Sequence, residues 1–543
     1  MKNIFLPIVC IILLFSALSG EEKKNKLVVL IVGDQLSQDL LLRYCPYFSE
    51  KGFNFLMKQG ANFTNCRYEY AYTKTACGHA SISTGTNPDL NGIVGNSWYD
   101  RTKKKNVNCV GDENVQTVGG KSGARSPRAL QTYAFADMLR LSTNFRSKVI
   151  GVSNKDRAAI LTAGKFGTAF WTAGSPFVTS TYYMNELPSW VASFNTSGIF
   201  EKYFGKHWEE LQPEIATRIC DDDENRYESG SAGNGNAFPR IIRGNDTTTV
   251  TDSYYDALDG SPFSTEILFE FAKKAVLAES LGSRGVTDML TIGISATDIV
   301  GHEYGPYSHE VFDNLLRTDS YLADFLSFLD ERFGLYNCVI ALSADHGIAP
   351  IPEYILKKDS RADAGRVSSD SIKRFSERVL RSVYGTMDSV WVEKVVEFNV
   401  YLGKDAPQQK GIAMSSVLQT LKDSLMKLPF MAAAFTQTDL QMNAVPGKLY
   451  EQARLSYFPA RSGDLMVIFK PYWTLDGSTT GTNHGSPYDY DTHVPLIFFG
   501  NNVTPGMYAV ESSPTDLAPT LAALLGIEFP PSRTGRVLRE AVK

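Results

Sequence analysis

The chain has 543 residues, 43% of them hydrophobic and 21% charged, with a formal net charge of −5. That length exceeds what one compact core usually holds, so several lobes, or one core with large insertions, are expected. The balance excludes a disordered or fibrous chain, and no basic run is long enough for a nucleic-acid groove; Lys103–Lys105 reads as a solvated loop.

Lys2, the apolar run Ile4–Phe15 and the small-x-small site Ala17-Leu18-Ser19 precede the polar Glu21–Lys24. This pattern predicts a signal peptide over residues 1–19 and a secreted, periplasmic mature chain over 20–543. No later segment approaches the ~18 uninterrupted apolar residues of a spanning helix, so no stable membrane insertion is expected. Six cysteines remain beyond the leader, an even set in an oxidising compartment; Cys45 and Cys66 could pair, but spacing does not fix connectivity. Asn62, Asn195, Asn245 and Asn502 stand in glycosylation sequons.

The runs Leu27–Val32, Lys148–Val152, Met289–Ile294, Val339–Leu342 and Val494–Phe499 read as buried strands. They are apolar on both faces and alternate with helical stretches such as Leu36–Tyr44 and Val311–Leu329. This predicts an α/β fold, a doubly wound, mostly parallel sheet with helices on both faces. Residues 176–262 and 352–475 interrupt the rhythm and read as insertions forming a cap. In the second, a strand Val395–Leu402, a helix Ser415–Phe435 and a strand Asp464–Phe469 are expected.

Chemistry follows the strands. Asp34 comes after the first, Lys155 and Arg157 after the second, Asp298 and His302 after the third, Asp345 and His346 after the fourth. Ligands of open parallel sheets bind at the carboxyl ends of the strands. One such Asp is ordinarily a helix cap, but four strand ends bearing charged or imidazole groups point to a shared site. Asp298 and His302, four apart, share one face of a helix. His484 lies in a Gly-rich loop. Three imidazoles and three carboxylates make two mixed sites with open positions, a catalytic rather than structural arrangement that suits Zn²⁺. Taken singly, Thr75 reads as a helix cap, Asn96 as a turn residue and Lys155 and Arg157 as surface charges.

Together, Val32–Asp34, Lys74-Thr75 with Gly78–Ser81, Gly95-Asn96, Ser153–Arg157, Thr297–Gly305, Ser343–Gly347 and His484–His493 resemble the alkaline phosphatase superfamily. They are most similar to its PafA-type, phosphate-irrepressible bacterial monoesterases. Seven segments fall in order along nearly the whole mature chain. The resemblance implies an alkaline-phosphatase-like fold and two zinc ions, one on Asp298, His302 and His484, the other on Asp34, Asp345 and His346. It implies that Thr75 is the nucleophile and that Asn96, Lys155 and Arg157 bind phosphate.

On that basis the expected activity is zinc-dependent hydrolysis of small phosphate monoesters, with broad specificity, through a phospho-threonine intermediate. A phosphodiesterase of the same superfamily would share the metal sites and nucleophile, but a diester has one fewer charged oxygen and less need of the Lys155/Arg157 pair. No cysteine stands in a Cys-x-Pro-x-Arg signature, which disfavours a sulfatase. A non-catalytic phosphate- or zinc-binding protein would be expected to lack a ligand or the nucleophile. Oligomeric state is not readable.

Overall fold

A computed structural model describes residues 25–543 apart from 122–123, 173, 175, 231–234, 387, 443–445 and 531–532. The leader expected over 1–19 lies outside the described residues.

In chain order, the main strands are β1 (Leu27–Gly33), β2 (Ala61–Phe63), β3 (Val149–Ser153), β4 (Thr168–Trp171), β5 (Asp288–Ile294) and β6 (Cys338–Ala344). They continue with β7 (Val392–Val396), β8 (Asn399–Leu402), β9 (Met431–Thr436), β10 (Leu465–Phe469), β11 (Leu496–Gly500) and β12 (Gly506–Tyr508). The helices around them include α1 (Gln38–Tyr44), α2 (Thr75–Thr84), α3 (Asp156–Ala163), α4 (Pro262–Ala278), α5 (Ala296–Tyr304), α6 (His309–Phe333), α7 (Ser369–Tyr384) and α8 (Met414–Leu425).

The main sheet has eight strands in the order β12-β2-β11-β6-β1-β5-β3-β4. Every residue of β1, β5 and β6 is buried, as their apolar sequences require of strands covered on both faces. The order runs outward from β1 in both directions, and right-handed crossovers then put helices on both faces. Strand β11 is the exception in direction, pairing antiparallel with both β6 and β2. It too is wholly buried, so its apolar run carries no mark of which way it points.

Register places the site. Gly33, the last residue of β1, pairs with Ile294 of β5 and Ala344 of β6. Ser153, the last of β3, pairs with Gly293. Four neighbouring strands therefore end level, and the residues that follow them share one rim. Helix starts agree with local capping: Ser37 Oγ accepts the Leu40 N–H before α1, and Ser308 Oγ accepts the Val311 N–H before α6.

Residues 176–262 form short helices and an antiparallel ribbon of Lys206–Trp208 with Arg240–Ile242. Residues 352–475 build a four-stranded antiparallel sheet, β7-β8-β10-β9, with α7 against β7 and α8 against β9. This cap has its own apolar core, including Trp391, Leu421 and Ile468; Tyr72, from the segment just before α2, belongs to that core. Two expectations are corrected here. Val395–Leu402 is a hairpin rather than one strand, turning at Glu397, whose φ is +51°. The helix expected to reach Phe435 stops at Leu425; Pro429 cannot continue it, and Met431–Thr436 is strand β9.

All six described cysteines are free thiols, so the Cys45–Cys66 bridge is not formed. Cys45 Sγ instead contacts the Leu42 carbonyl, and Cys66 is buried in a bridge to Ser512. The sequon residue Asn62 is buried in β2.

Candidate active site

The level strand ends gather the six expected ligands into two groups. Asp298, His302 and His484 offer ligand atoms within 4.8 Å of one another, and so do Asp34, Asp345 and His346. Asp298 and His302 sit one turn apart on α5, with His302 Nε2 3.2 Å from Asp298 Oδ1. His484 arrives from the loop before β11, with Nε2 3.7 Å from the same oxygen. His346 Nε2 lies 3.4 Å from both Asp34 Oδ1 and Asp345 Oδ2. The groups adjoin, since the His346 and His484 rings stack with centroids 3.5 Å apart.

The imidazoles are prepared as ligands. His302 Nδ1 is 2.7 Å from the Thr482 carbonyl, His484 Nδ1 2.6 Å from that of Thr73, and His346 Nδ1 2.9 Å from that of Gly347. A carbonyl can only accept, so each Nδ1 carries a hydrogen, and Nε2 is the atom each ring has left to offer an ion. Asp34 Oδ1 and His346 Nε2 are buried with no hydrogen-bond partner among the described residues. Buried polar atoms are seldom left so, and the donor set of imidazole and carboxylate fits a divalent ion such as zinc.

Thr75 is the first residue of α2, a ten-residue helix buried throughout. Its Oγ1 is also buried without a hydrogen-bond partner among the described residues. An ideal Cβ on Gly78 would lie 2.1 Å from the Asp345 carbonyl, so glycine there lets the helix close onto the end of β6. Asn96 joins the helix start, its Oδ1 accepting the Ala76 N–H at 2.9 Å. Lys155 Nζ donates to Asp34 Oδ2 at 2.7 Å and also to Asp298. Arg157 is the second residue of α3; the Asp156 carboxylate accepts its backbone N–H and is itself held by Arg125, while Arg157 Nε has no partner among the described residues.

A profile of the type I phosphodiesterase / nucleotide pyrophosphatase family matches residues 28–493. Alkaline phosphatase PhoV of Synechococcus elongatus is 35% identical, over 96% of this chain and 93% of its own. Alkaline phosphatase PafA of Elizabethkingia meningoseptica is 34% identical over 98% of each. A Myroides odoratus protein named a calcium-transporting ATPase is 35% identical over 100% of this chain and 99% of its own. A crystal structure of PafA superposes with a TM-score of 0.89, covering 96% of this chain and 99% of that one at 33% identity. The chain belongs to the PafA/PhoV-type alkaline phosphatases.

The alkaline phosphatase is thus a hydrolase with the expected fold, and among its described residues no helix is long and apolar enough to cross a membrane. Its site is electrostatically tense. Burial, then repulsion from Asp298 and Asp345, pushes the Asp34 carboxyl well above its usual range against the pull of Lys155. Asp298 is held well below that range: burial opposes this, but His302 and Lys155 outweigh it. Burial pushes His346 down to about 4. Burial and the neighbouring His346 hold His484 well below its ordinary value. His302 goes the other way: burial opposes it, but the adjacent Asp298 carboxylate raises the imidazole above its ordinary value, so a divalent cation bound there would displace a proton from this ring.

Several residues of the phosphatase site are not evident from motif spacing. Gln35 donates its backbone N–H to Asp345 Oδ1 at 3.0 Å and its amide to Asp298 Oδ1 at 2.8 Å, so it ties the two ligand groups together. Its φ of +65° is unusual for a residue with a Cβ. His79 Nδ1 lies 3.2 Å from Asp345 Oδ2 and 2.9 Å from the Thr75 carbonyl. Lys74 Nζ donates to the His484 carbonyl at 2.8 Å, fastening the His484 loop beside the start of α2. Position was the signal that could have found them: Gln35 and Lys74 are next to Asp34 and Thr75, and His79 is one helical turn past Thr75.

Proposed function

We propose that the enzyme hydrolyses phosphate monoesters with broad specificity through a phospho-Thr75 intermediate, using two zinc ions. Asp298, His302 and His484 would hold one, and Asp34, Asp345 and His346 the other. The observation that carries this reading is a pair of adjoining three-ligand groups against the helix that Thr75 begins, where the Thr75 hydroxyl is buried with no hydrogen-bond partner among the described residues. When bound, zinc supplies Lewis-acid stabilisation of the attacking and leaving oxygens and makes a hydroxyl a usable nucleophile at moderate pH.

The chain's own groups do the rest. Thr75 Oγ forms a bond to phosphorus as the ester P–O bond breaks, and the alcohol leaves with a proton. Water then attacks phospho-Thr75, releasing inorganic phosphate and restoring the hydroxyl. Asn96 has committed its Oδ1 to the Ala76 N–H, which leaves its amide hydrogens for a phosphoryl oxygen. Arg157 offers a guanidinium fork and Lys155 a point charge, and both stabilise equatorial charge during transfer. Residues 1–19 act in this reading as a leader that sends the mature chain to the periplasm.

A second reading, diester hydrolysis, is favoured by the description of the matching family. The Lys155/Arg157 pair weighs against it, since a diester replaces one charged oxygen with an alkoxy group. Turnover of an aryl phosphate and its matching diester by the purified, metal-loaded protein decides between them. Monoester kcat/KM is expected to exceed diester kcat/KM, and the reverse order would overturn the proposal.

A further inference from the structure

One side chain of the cap meets the Asn96 loop directly. Glu397, the turn residue between β7 and β8, keeps a left-handed φ of +51°. For a residue with a Cβ this conformation is uncommon and unfavourable, and it persists where surrounding contacts enforce it. Those contacts are evident here. Glu397 Oε1 accepts the Asn96 N–H at 3.1 Å, and the Ser97 N–H lies beside the same carboxylate. An ideal Cβ on Gly95 would stand 2.4 Å from Glu397 Oε2, so the loop has room for this carboxylate because residue 95 is glycine.

Asn96 is therefore held twice. Its backbone N–H is fixed by the cap, and its side-chain oxygen by the second residue of the nucleophile helix. The hairpin grips the other approach to that helix as well: Tyr72 Oη donates to the Phe398 carbonyl at 3.1 Å, and the two rings stack at 5.1 Å.

We propose that Glu397 is a positioning residue that, from the cap, aims the Asn96 amide at the transferring phosphoryl group. This rests on the reading of Asn96 as a phosphate ligand. Glu397 acts through Asn96 and does not itself meet substrate; its negative charge would repel a phosphoryl dianion, and Lys74 and Arg157 lie near enough to offset it.

The test is a double-mutant cycle on the metal-loaded, full-length enzyme, with kcat/KM for an aryl phosphate as the readout and Tm recorded for each variant. Glu397→Ala is expected to lose about tenfold to a hundredfold, the size of effect a misplaced contact produces. In an Asn96→Ala background the same change should cost less than about threefold, because coupled residues are not additive. Glu397→Gln, which keeps an oxygen for the Asn96 N–H, should recover most of the loss. Equal losses in both backgrounds would overturn the inference and leave monoester hydrolysis standing. A wild-type enzyme inactive on aryl phosphate would overturn the proposed function and this inference with it. Should Glu397→Ala not fold, Gly95→Ala displaces the same carboxylate from the loop side and completes the cycle.

Discussion

Lys155 Nζ lies 2.7 Å from Asp34 Oδ2, so the cation expected to meet substrate is also the counter-ion of an expected metal ligand. It pairs with Asp298 of the other ligand group too. One ammonium thus serves two of the three carboxylates in the centre, and the cations of the site cannot be treated as equivalent.

Metal analysis of the purified enzyme should find about two zinc ions per chain, as a two-metal hydrolytic centre requires. Chelation should abolish turnover and added zinc should restore it. Full activity in protein verified to be metal-free would refute the assignment.

Arg157 and Lys155 should separate when changed singly. Arg157 is 3.8 Å from Asp156 and is not paired with a metal ligand. Arg157→Ala should lower monoester kcat/KM by roughly tenfold to a hundredfold, the worth of one charge-assisted contact. Diester turnover should fall less, with metal content unchanged. Lys155→Ala should also slow monoester turnover, but it removes a positive charge from beside Asp34 and Asp298, so its zinc affinity should rise. Weaker zinc binding in Lys155→Ala would mean that the ammonium holds the ligands in place rather than competing for them.

Acid quenching during turnover should trap phosphate on Thr75, detectable by mass spectrometry. Thr75→Ser keeps the hydroxyl and should retain substantial activity, whereas Thr75→Ala should lose most of it while still binding zinc and inorganic phosphate. Near-normal turnover by Thr75→Ala would show that water attacks phosphorus directly.

The stability of the His484 loop should depend on pH through Asp491. Its Oδ2 accepts the Gly485 and Ser486 N–H groups, Oδ1 has no partner among the described residues, and burial raises the carboxyl from 3.8 to about 7. Between those values the folded chain holds a proton that the unfolded chain has lost, so stability falls as pH rises through this window. Asparagine keeps the one oxygen that is used and cannot ionise. Asp491→Asn should therefore gain in Tm relative to wild type as pH goes from about 5 to about 8. Parallel Tm curves for the two proteins across that range would contradict this.

Much of the core was legible because both signals it uses are local. Buried strands such as Leu27–Gly33 announce themselves by being apolar on both faces, and Asp34, Asp298 and Asp345 by following them. The direction of β11 was not legible, because a strand buried on both sides looks the same read either way. The hairpin at Glu397 was hidden because its left-handed residue is a glutamate, without the glycine or asparagine that usually marks such a turn. Gln35 was missed for another reason: standing next to Asp34 could have flagged the residue, but not its role, because its amide reaches Asp298, 263 residues away in sequence.

Tyr72 belongs to the apolar core of the cap, yet it stands three positions before Thr75. A cap that swung aside to admit substrate would have to pull this ring from its pocket and drag the start of α2 with it. The cap is therefore expected to act as a fixed wall beside α2 and not as a door. Esters and phosphate should then come and go without displacement of the cap, and turnover should not depend on a hinge.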